Sequence, residues 1–381
     1  MKPRQVVRAY LTFLISLSVF IFQSGCGGGG TAPSGNGTGG GGGPQAPSAQ
    51  LLYVNTNGIV PGVFGYKIQS DGTLTAIAGL ENSLLAGGSG IVSSNGVLYI
   101  PGSSGGIFAG TINFQTGSVT SIGSFPGPAL ASNATTGVQL SICQNKFLYA
   151  ERFAQIFAYA IDTTGGLKQA PGSPLAADPG LTTIALDPLC KFLFALSTVG
   201  TFVYTIDSTS GSLTLVAGSP FAANSPPSAG VVDPTGKFFF AVNSTQLSAF
   251  SISSQGVLSL LSSATPPSGG IAEFSMTFVS TTSGNFLYVT NSGVFGYRVD
   301  TGTGALTSLS NPLVAPSFLT DTRALAASGN FLYALDFNPR NVSAFTINSD
   351  GTLTALSGSP FALNFSTSAL HPMAVTAAVK P

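Results

Sequence analysis

The chain has 381 residues and a formal net charge of zero, and charged residues make up only 7% of it. It has no stripe of Lys and Arg, which argues against a nucleic-acid partner. A single histidine excludes a His-rich metal site. There is also no phosphate-binding loop and no Ser-His-Asp order, so we expect neither a metal nor a cofactor.

The first 25 residues have the pattern of an export signal. Lys2, Arg4 and Arg8 give a basic start, and residues 9–22 form an apolar run that is short for a membrane span. Small residues then precede Cys26, which resembles a bacterial lipoprotein cleavage site, although Gln23 stands where that site usually has leucine. We therefore predict a signal peptide over residues 1–25 and lipidation at Cys26. The alternative is an ordinary secretory signal with an incidental thiol.

Residues 26–50 have the composition of a flexible tether. Eleven of the 24 residues at positions 27–50 are glycine, and most of the others are small or polar. Such a segment buries too little apolar surface to order itself, and as a coil it spans about 25–30 Å. We expect it to hold a globular head, residues 51–381, at the cell envelope. Gly27 gives no sign of inner-membrane retention, which favours the outer membrane or a periplasmic face.

The head contains a pattern repeated seven times, at steps of 45 to 50 residues. Each copy has a β-rich run marked by an aromatic residue, namely Tyr53, Tyr99, Tyr149, Phe194, Phe240, Tyr288 and Tyr333. Two more runs follow, the second of which starts at a glycine, namely Gly72, Gly117, Gly165, Gly211, Gly256, Gly304 and Gly351. A β-branched run precedes the aromatic one. Four strands in each of seven copies predict an all-β fold, a seven-bladed β-propeller of four-stranded antiparallel blades.

The ends of the repeat indicate how the ring closes. We letter the strands of a blade A to D from the axis outward, so that the aromatic run is strand B. The first copy begins at Leu51 without a strand A, and a spare strand over residues 373–379 ends the chain. We predict that this C-terminal strand joins the N-terminal blade as its strand A, which leaves no open end. We expect a single, monomeric head.

The strand order divides the connections between two faces of the propeller. The B–C and D–A connections share one face, here called the upper face, and the A–B and C–D turns share the lower face. The C–D turns have nearly constant length while the B–C connections vary, and insertions in repeats gather on the binding face. Aspartates that recur at the C–D turn, such as Asp162 and Asp300, are attributed to turn capping.

Charged residues that do not recur fall on the upper face and are the candidates for function. The candidate catalytic residues, which could act as a base, are Glu151, Asp321 and His371. The candidate ligand-binding residues are Arg152, Glu273, Arg323, Asp336 and Arg340. The alternative is that all of these side chains are ordinary solvated loop residues.

Two cysteines of the head are separated by one repeat. Cys143 and Cys190 lie 47 residues apart, each just before an aromatic run, and so at comparable turns of adjacent blades. An exported protein permits a disulfide between them, provided that their Cα atoms come within about 7 Å. The alternative is a pair of unrelated buried thiols.

The repeat units resemble those of the lactonase-type seven-bladed propellers, which include the 6-phosphogluconolactonase family. One blade carries Phe192-Leu-Phe-Ala, Tyr204-Thr-Ile-Asp, Gly211-Ser-Leu-Thr and Gly218-Ser-Pro-Phe, and the resemblance extends over residues 51–381. These motifs are structural and match no catalytic residue of the family. The family name implies hydrolysis of a sugar lactone, which needs a base for water and donors for the oxyanion.

Two functions follow from the sequence. The first is an envelope-anchored binding module without chemistry, for a carbohydrate, lactone or protein ligand. The second is an extracytoplasmic lactonase, for which Glu151, Asp321 or His371 would supply the base and Arg152, Arg323 and Arg340 a cationic clamp.

Overall fold

The fold was analysed in a computed structural model. It describes residues 51–57, 62–78, 80, 90–102, 106–128, 138–152, 154–221, 227–264, 275–290, 293–309, 319, 322–336, 340–363 and 371–378. The strand B runs are rich in Val, Ile, Leu, Ala and aromatic residues, and they are buried along nearly their whole length. β-Branched and aromatic residues favour a pleated surface packed on both sides. All regular elements of the described residues are strands.

Seven antiparallel sheets follow each other along the chain. Blade 1 begins with β1 (Leu51–Asn57), β2 (Gly62–Ile68) and β3 (Leu74–Ala76), and blade 2 has β4 (Val92–Ser94), β5 (Val97–Pro101), β6 (Ile107–Ile112) and β7 (Val119–Phe125). Blade 3 has β8 (Gln139–Cys143), β9 (Phe147–Arg152), β10 (Gln155–Ile161), β11 (Leu167–Gln169) and a short β12 (Leu175–Ala176). Blade 4 has β13 (Leu181–Leu186), β14 (Phe192–Ser197), β15 (Gly200–Ile206) and β16 (Leu213–Leu215).

The second half of the ring repeats this arrangement. Blade 5 has β17 (Ala229–Val232), β18 (Phe238–Val242), β19 (Leu247–Ile252) and β20 (Leu258–Ala264), and blade 6 has β21 (Met276–Thr281), β22 (Gly284–Thr290), β23 (Val294–Val299) and β24 (Leu306–Ser308). Blade 7 has β25 (Thr322–Ser328), β26 (Phe331–Asp336), β27 (Asn341–Ile347), β28 (Leu353–Ala355) and a short β29 (Phe361–Ala362). The last strand is β30 (His371–Ala378).

The ring closes through its last strand. β30 pairs antiparallel with β1, opposing Leu51 to Ala378 and Asn57 to His371. It therefore serves as strand A of blade 1, and it also contacts β25 of blade 7 and β4 of blade 2. Both the seven-bladed fold and the closing strand predicted from the sequence are confirmed.

The aromatic residues of strand B join each blade to the next one. Five of the seven are tyrosines, and their hydroxyls donate hydrogen bonds to carbonyl oxygens of the recurrent glycines in the following blade: Tyr53 to Gly117, Tyr99 to Gly165, Tyr149 to Gly211, Tyr288 to Gly351 and Tyr333 to Gly72. The last of these bonds, 3.0 Å long, crosses the closure of the ring. Gly72 has φ +85°, and a Cβ there would lie 2.2 Å from the Phe331 ring, so both its conformation and its packing require glycine.

A disulfide adds a covalent link between blades 3 and 4. Cys143 ends β8, Cys190 lies in the A–B turn of blade 4, and their Cα atoms are 5.4 Å apart. Both belong to the hydrophobic cluster between these two blades. The link lies toward the lower face.

Candidate functional site

The upper face carries the candidate residues that the structure describes. Glu151 and Arg152 end strand B of blade 3, and Asp336 ends strand B of blade 7. Arg323 is the second residue of strand A in blade 7, and Arg340 lies in the B–C connection of the same blade.

The side chains of four other predicted residues are not described by the structure. Cys26, Glu273 and Asp321 lie outside the described residues. For His371 the structure describes only the backbone, which begins β30 at the upper face.

Glu151 is a buried carboxyl group at the upper end of blade 3. It is only 5% exposed, and in the sheet it lies directly between Gln139 of β8 and Ile156 of β10. Directly opposed residues of neighbouring strands point to the same side of a sheet. Ile156 packs in the cluster between blades 3 and 4, so the Gln139–Glu151–Ile156 row faces blade 4. Arg152, which is 3% exposed, follows Glu151 and therefore faces the other side, toward blade 2.

Burial dominates the electrostatics of this pair. It raises the pKa of the Glu151 carboxyl from 4.5 to about 8, against the opposing effect of the Arg152 charge. Burial also lowers the pKa of the Arg152 guanidinium, and Glu151 opposes that shift. A carboxyl group with a pKa near 8 exchanges protons at physiological pH, as a general acid or base must.

The repeat shows that blade architecture does not require a carboxyl group at the position of Glu151. The equivalent residues, two after the strand B aromatic, are Asn55, Pro101, Leu196, Val242, Thr290 and Leu335. None of them is ionisable, although all have the same place in a blade. Glu151 is therefore a feature of one blade, retained despite the cost of burying an ionisable group.

A second polar group lies at the upper end of blade 7. Thr322, Asp336 and Asn341 form a row across strands A, B and C, and the Thr322 hydroxyl donates a 3.0 Å hydrogen bond to Asp336. Ser343 lies on the same side of β27 as Asn341, one step further into the blade. These four side chains are at most 5% exposed, whereas Arg323 and Arg340 are half-buried.

The candidate residues thus form two groups rather than one, and we call the polar residues at the upper ends of these two blades the blade 3 group and the blade 7 group. Blades 3 and 7 are separated by blades 2 and 1 in one direction round the ring and by blades 4, 5 and 6 in the other. The sequence prediction missed four polar members of these groups, namely Gln139, Thr322, Asn341 and Ser343. None of them is charged, whereas the prediction rested on charged residues. Comparing residue types at each repeat position would have found Ser343.

The recurrent aspartates of the lower face have a structural role. Hydrogen bonds from hydroxyl and backbone N–H groups of the C–D turns lower the pKa of Asp71, Asp162, Asp207, Asp300 and Asp350. A groove of about 450 Å³ opens on this face between blades 2 and 3, lined in part by Tyr99, Phe114 and Asp162. The Asp162 carboxylate already accepts bonds from Thr164 and Gly166 within its own turn. This groove is therefore a weaker candidate than the upper face.

Within the described part of the chain, no three His, Cys, Asp or Glu residues are grouped so that they could hold a metal ion. No helix among these described residues has the length and apolarity needed to span a membrane.

The sequence matches no protein-family model and no curated protein. Solved structures with a similar fold include a candidate 6-phosphogluconolactonase from Bacteroides fragilis, with 16% identity over 86% of this chain and 97% of that one, at a TM-score of 0.65. The periplasmic gluconolactonase PpgL of Pseudomonas aeruginosa is 18% identical over 83% of this chain and 99% of its own, at a TM-score of 0.62. The chain has the fold of the lactonase-type propellers. Identities this low show the fold alone.

Proposed function

We propose that the chain is an extracytoplasmic lactone hydrolase in which Glu151 transfers the proton. The observation that carries this proposal is the buried Glu151 carboxyl, whose pKa of about 8 suits proton transfer near neutral pH. Its place on the upper face, where no other blade has a carboxyl at the equivalent position, supports a role in chemistry. The names of two structural neighbours, a candidate 6-phosphogluconolactonase and a gluconolactonase, suggest a sugar lactone as the substrate.

The reaction needs a base for water and a donor for the carbonyl oxygen. In this proposal the ionised Glu151 takes a proton from water while the water oxygen attacks the lactone carbonyl carbon. The ring C–O bond then breaks, and the leaving ring oxygen receives that proton, so lactone and water yield one hydroxy acid. Gln139, directly opposite Glu151 in the sheet, carries amide N–H donors suited to the carbonyl oxygen. Arg152 favours the ionised form of Glu151.

The proposed location is the cell envelope. The basic and apolar start of the chain, the lipoprotein-like residues before Cys26 and the glycine-rich tether support it. The periplasmic location of one structural neighbour is consistent with it. Membrane fractionation of a Cys26→Ser variant, which should leave the membrane fraction, tests the lipid anchor.

Hydrolysis of a panel of aldono-lactones by the purified head, residues 51–381, tests the proposed chemistry. We expect kcat/KM to rise with pH around a midpoint of about 8, the pKa of Glu151. Glu151→Gln should lower kcat/KM by about 10²- to 10⁴-fold, because the amide cannot take a proton. Asp300→Asn, at an exposed lower-face turn, serves as the control and should leave the rate unchanged. Absence of turnover on the whole panel, or full activity of Glu151→Gln, refutes the proposal.

A second candidate is a binding module without chemistry, for a carbohydrate, lactone or protein. It is favoured by the separation of the polar residues into a blade 3 group and a blade 7 group, which suits a broad ligand surface better than one compact catalytic centre. Binding of a ligand by a head that hydrolyses none of the lactones would select this function.

A further inference from the structure

One position of strand C has a different residue type in blade 7 than in most other blades. This position is the residue just before the strand C residue that pairs with the strand B aromatic. Five blades have phenylalanine there, namely Phe64, Phe108, Phe157, Phe202 and Phe295. Blades 5 and 7 have Ser248 and Ser343 instead. The standard blade therefore places a phenyl ring where blade 7 has a hydroxymethyl group.

In blade 5 an aromatic ring from strand B stands in for the missing strand C ring, and in blade 7 no such ring is present at the equivalent position. Phe239 of strand B lies on the same side of its sheet as Ser248 and stacks on Phe194 of blade 4, with ring centroids 4.7 Å apart. The equivalent residue in blade 7 is Leu332, and Ala334 pairs with Ser343. Blade 7 has thus lost an aromatic side chain in its contact with blade 6 without gaining another at these positions.

The polar atoms at this place lack hydrogen bonds. Asn341 is 5% exposed and Ser343 is 0% exposed. The Oδ1 atom of Asn341 and the Oγ atom of Ser343 have no hydrogen-bond partner in the described part of the protein. Buried polar atoms in native proteins are nearly always paired, and leaving them unpaired is destabilising. Two such atoms on one side of a strand, beside Asp336, are suited to partners that come from outside the chain.

The oxygen atoms of the group indicate the kind of partner. Asn341, Ser343 and Asp336 offer acceptors, which suit O–H donors or a cation. The chain neighbours of the group carry charges of both signs, with Asp321 before and Arg323 after Thr322, so they do not select a cation. Among the described residues no three His, Cys, Asp or Glu side chains are grouped to hold a metal ion, which favours hydroxyl groups as the partner.

We propose that Asp336, Asn341 and Ser343 form a hydroxyl-binding subsite for a polyhydroxylated ligand, such as a polyol or the open chain of a sugar acid. The class of ligand rests on the function proposed above. The subsite itself lies on a different blade from Glu151. The subsite thus holds the ligand and does no chemistry. It is built where blade 7 gives up the phenyl ring of the standard blade.

Calorimetric titration of the purified head with D-sorbitol and with sodium D-gluconate tests the subsite. We expect millimolar or tighter binding of at least one probe. Ser343→Ala removes only the hydroxyl group. It should weaken binding about tenfold, because one hydrogen bond to the ligand is lost. The same variant should melt at the same temperature as the wild type or higher, because it also removes an unpaired buried atom. Ser343→Phe restores the residue of five other blades and should abolish binding while the head stays folded.

Ser248→Ala is the matched control, at the same repeat position in blade 5, and should leave binding unchanged. The subsite is refuted if the wild type binds neither probe, if Ser343→Ala binds as tightly as the wild type, or if Ser248→Ala weakens binding equally. Glu151→Gln separates the two proposals. If it loses hydrolysis while Ser343→Ala has no effect on binding, the enzyme proposal stands and the subsite fails. If probes bind at Ser343 but no lactone is hydrolysed, the subsite stands and the enzyme proposal fails.

Discussion

At the scale of single residues, Glu151 should make stability depend on pH. Its pKa is raised to about 8 in the folded protein from an ordinary 4.5, so the folded state retains a proton that the unfolded chain releases. As the pH rises from 4.5 to about 8, the wild type should therefore lose about 1.4 kcal/mol of unfolding free energy per pH unit relative to Glu151→Gln. Above a pH of about 8 no further loss is expected.

Chemical denaturation of both proteins at pH 5, 7 and 9 measures this difference. Asp300→Asn is the control, because the Asp300 pKa is lowered by backbone N–H groups of Thr303 and Gly302. Stability that comes from a lowered carboxyl pKa is lost only in acid. The free energy of unfolding of Asp300→Asn should therefore differ from that of the wild type by a constant amount between pH 5 and 9. A difference between Glu151→Gln and the wild type that does not change with pH would show that Glu151 is not buried as described.

Residue types alone predicted part of the candidate site. Glu151 and Arg152 stood out because charges are rare in this chain and these two do not recur. The burial that raises the pKa of Glu151 depends on how blade 4, which begins at Leu181, packs against blade 3, and residue types alone do not give that packing. Asn341 and Ser343 gave no such signal, because Asn and Ser are common in strand ends and turns. A comparison of the seven copies places Ser343 where five blades have phenylalanine, but only the structure shows that it is buried beside Asn341 and Asp336.

At the scale of the blade, the hydrogen bond from the strand B tyrosine to the glycine of the next blade should make a measurable contribution to the free energy of unfolding. Tyr288 is fully buried and donates a 2.7 Å hydrogen bond to the Gly351 carbonyl oxygen. Tyr288→Phe leaves that oxygen buried without its donor, so the free energy of unfolding should fall by about 1–3 kcal/mol.

Tyr297→Phe in the same blade is the matched control. Tyr297 is also buried, but its hydroxyl makes no hydrogen bond within the described residues, so its loss should change stability by less than about 0.5 kcal/mol. Equal effects of the two variants in denaturant titrations would mean that the bond between blades contributes nothing. Phe194 and Phe240 occupy the position of Tyr288 in blades 4 and 5, so the fold itself should tolerate the change.

At the scale of the whole molecule, the fold was predictable because one pattern had to satisfy seven equivalent environments. A buried aromatic, a turn glycine and a β-branched strand recur in nearly every blade, so errors at one copy were corrected by the others. The missing strand A of the first copy and the spare C-terminal strand then determined the closure. The grouping of the functional residues was not predictable in this way, because the repeat says nothing about which side chains on the upper face lie near each other.

Closure by β30 should decide whether the ring is stable. Without this strand, β1 exposes the edge with which β30 pairs from Leu51 to Asn57, and blades 7 and 2 lose their contacts with it. A chain truncated after Leu363 should therefore unfold at a lower temperature and aggregate. A circular permutant that carries residues 364–381 before Leu51 through a short linker keeps every strand and should melt close to the full head. Circular dichroism and light scattering during heating measure both. If the truncated chain melted as the full head does and stayed monomeric, the remaining strands alone would hold the ring, and β30 would be dispensable for closure.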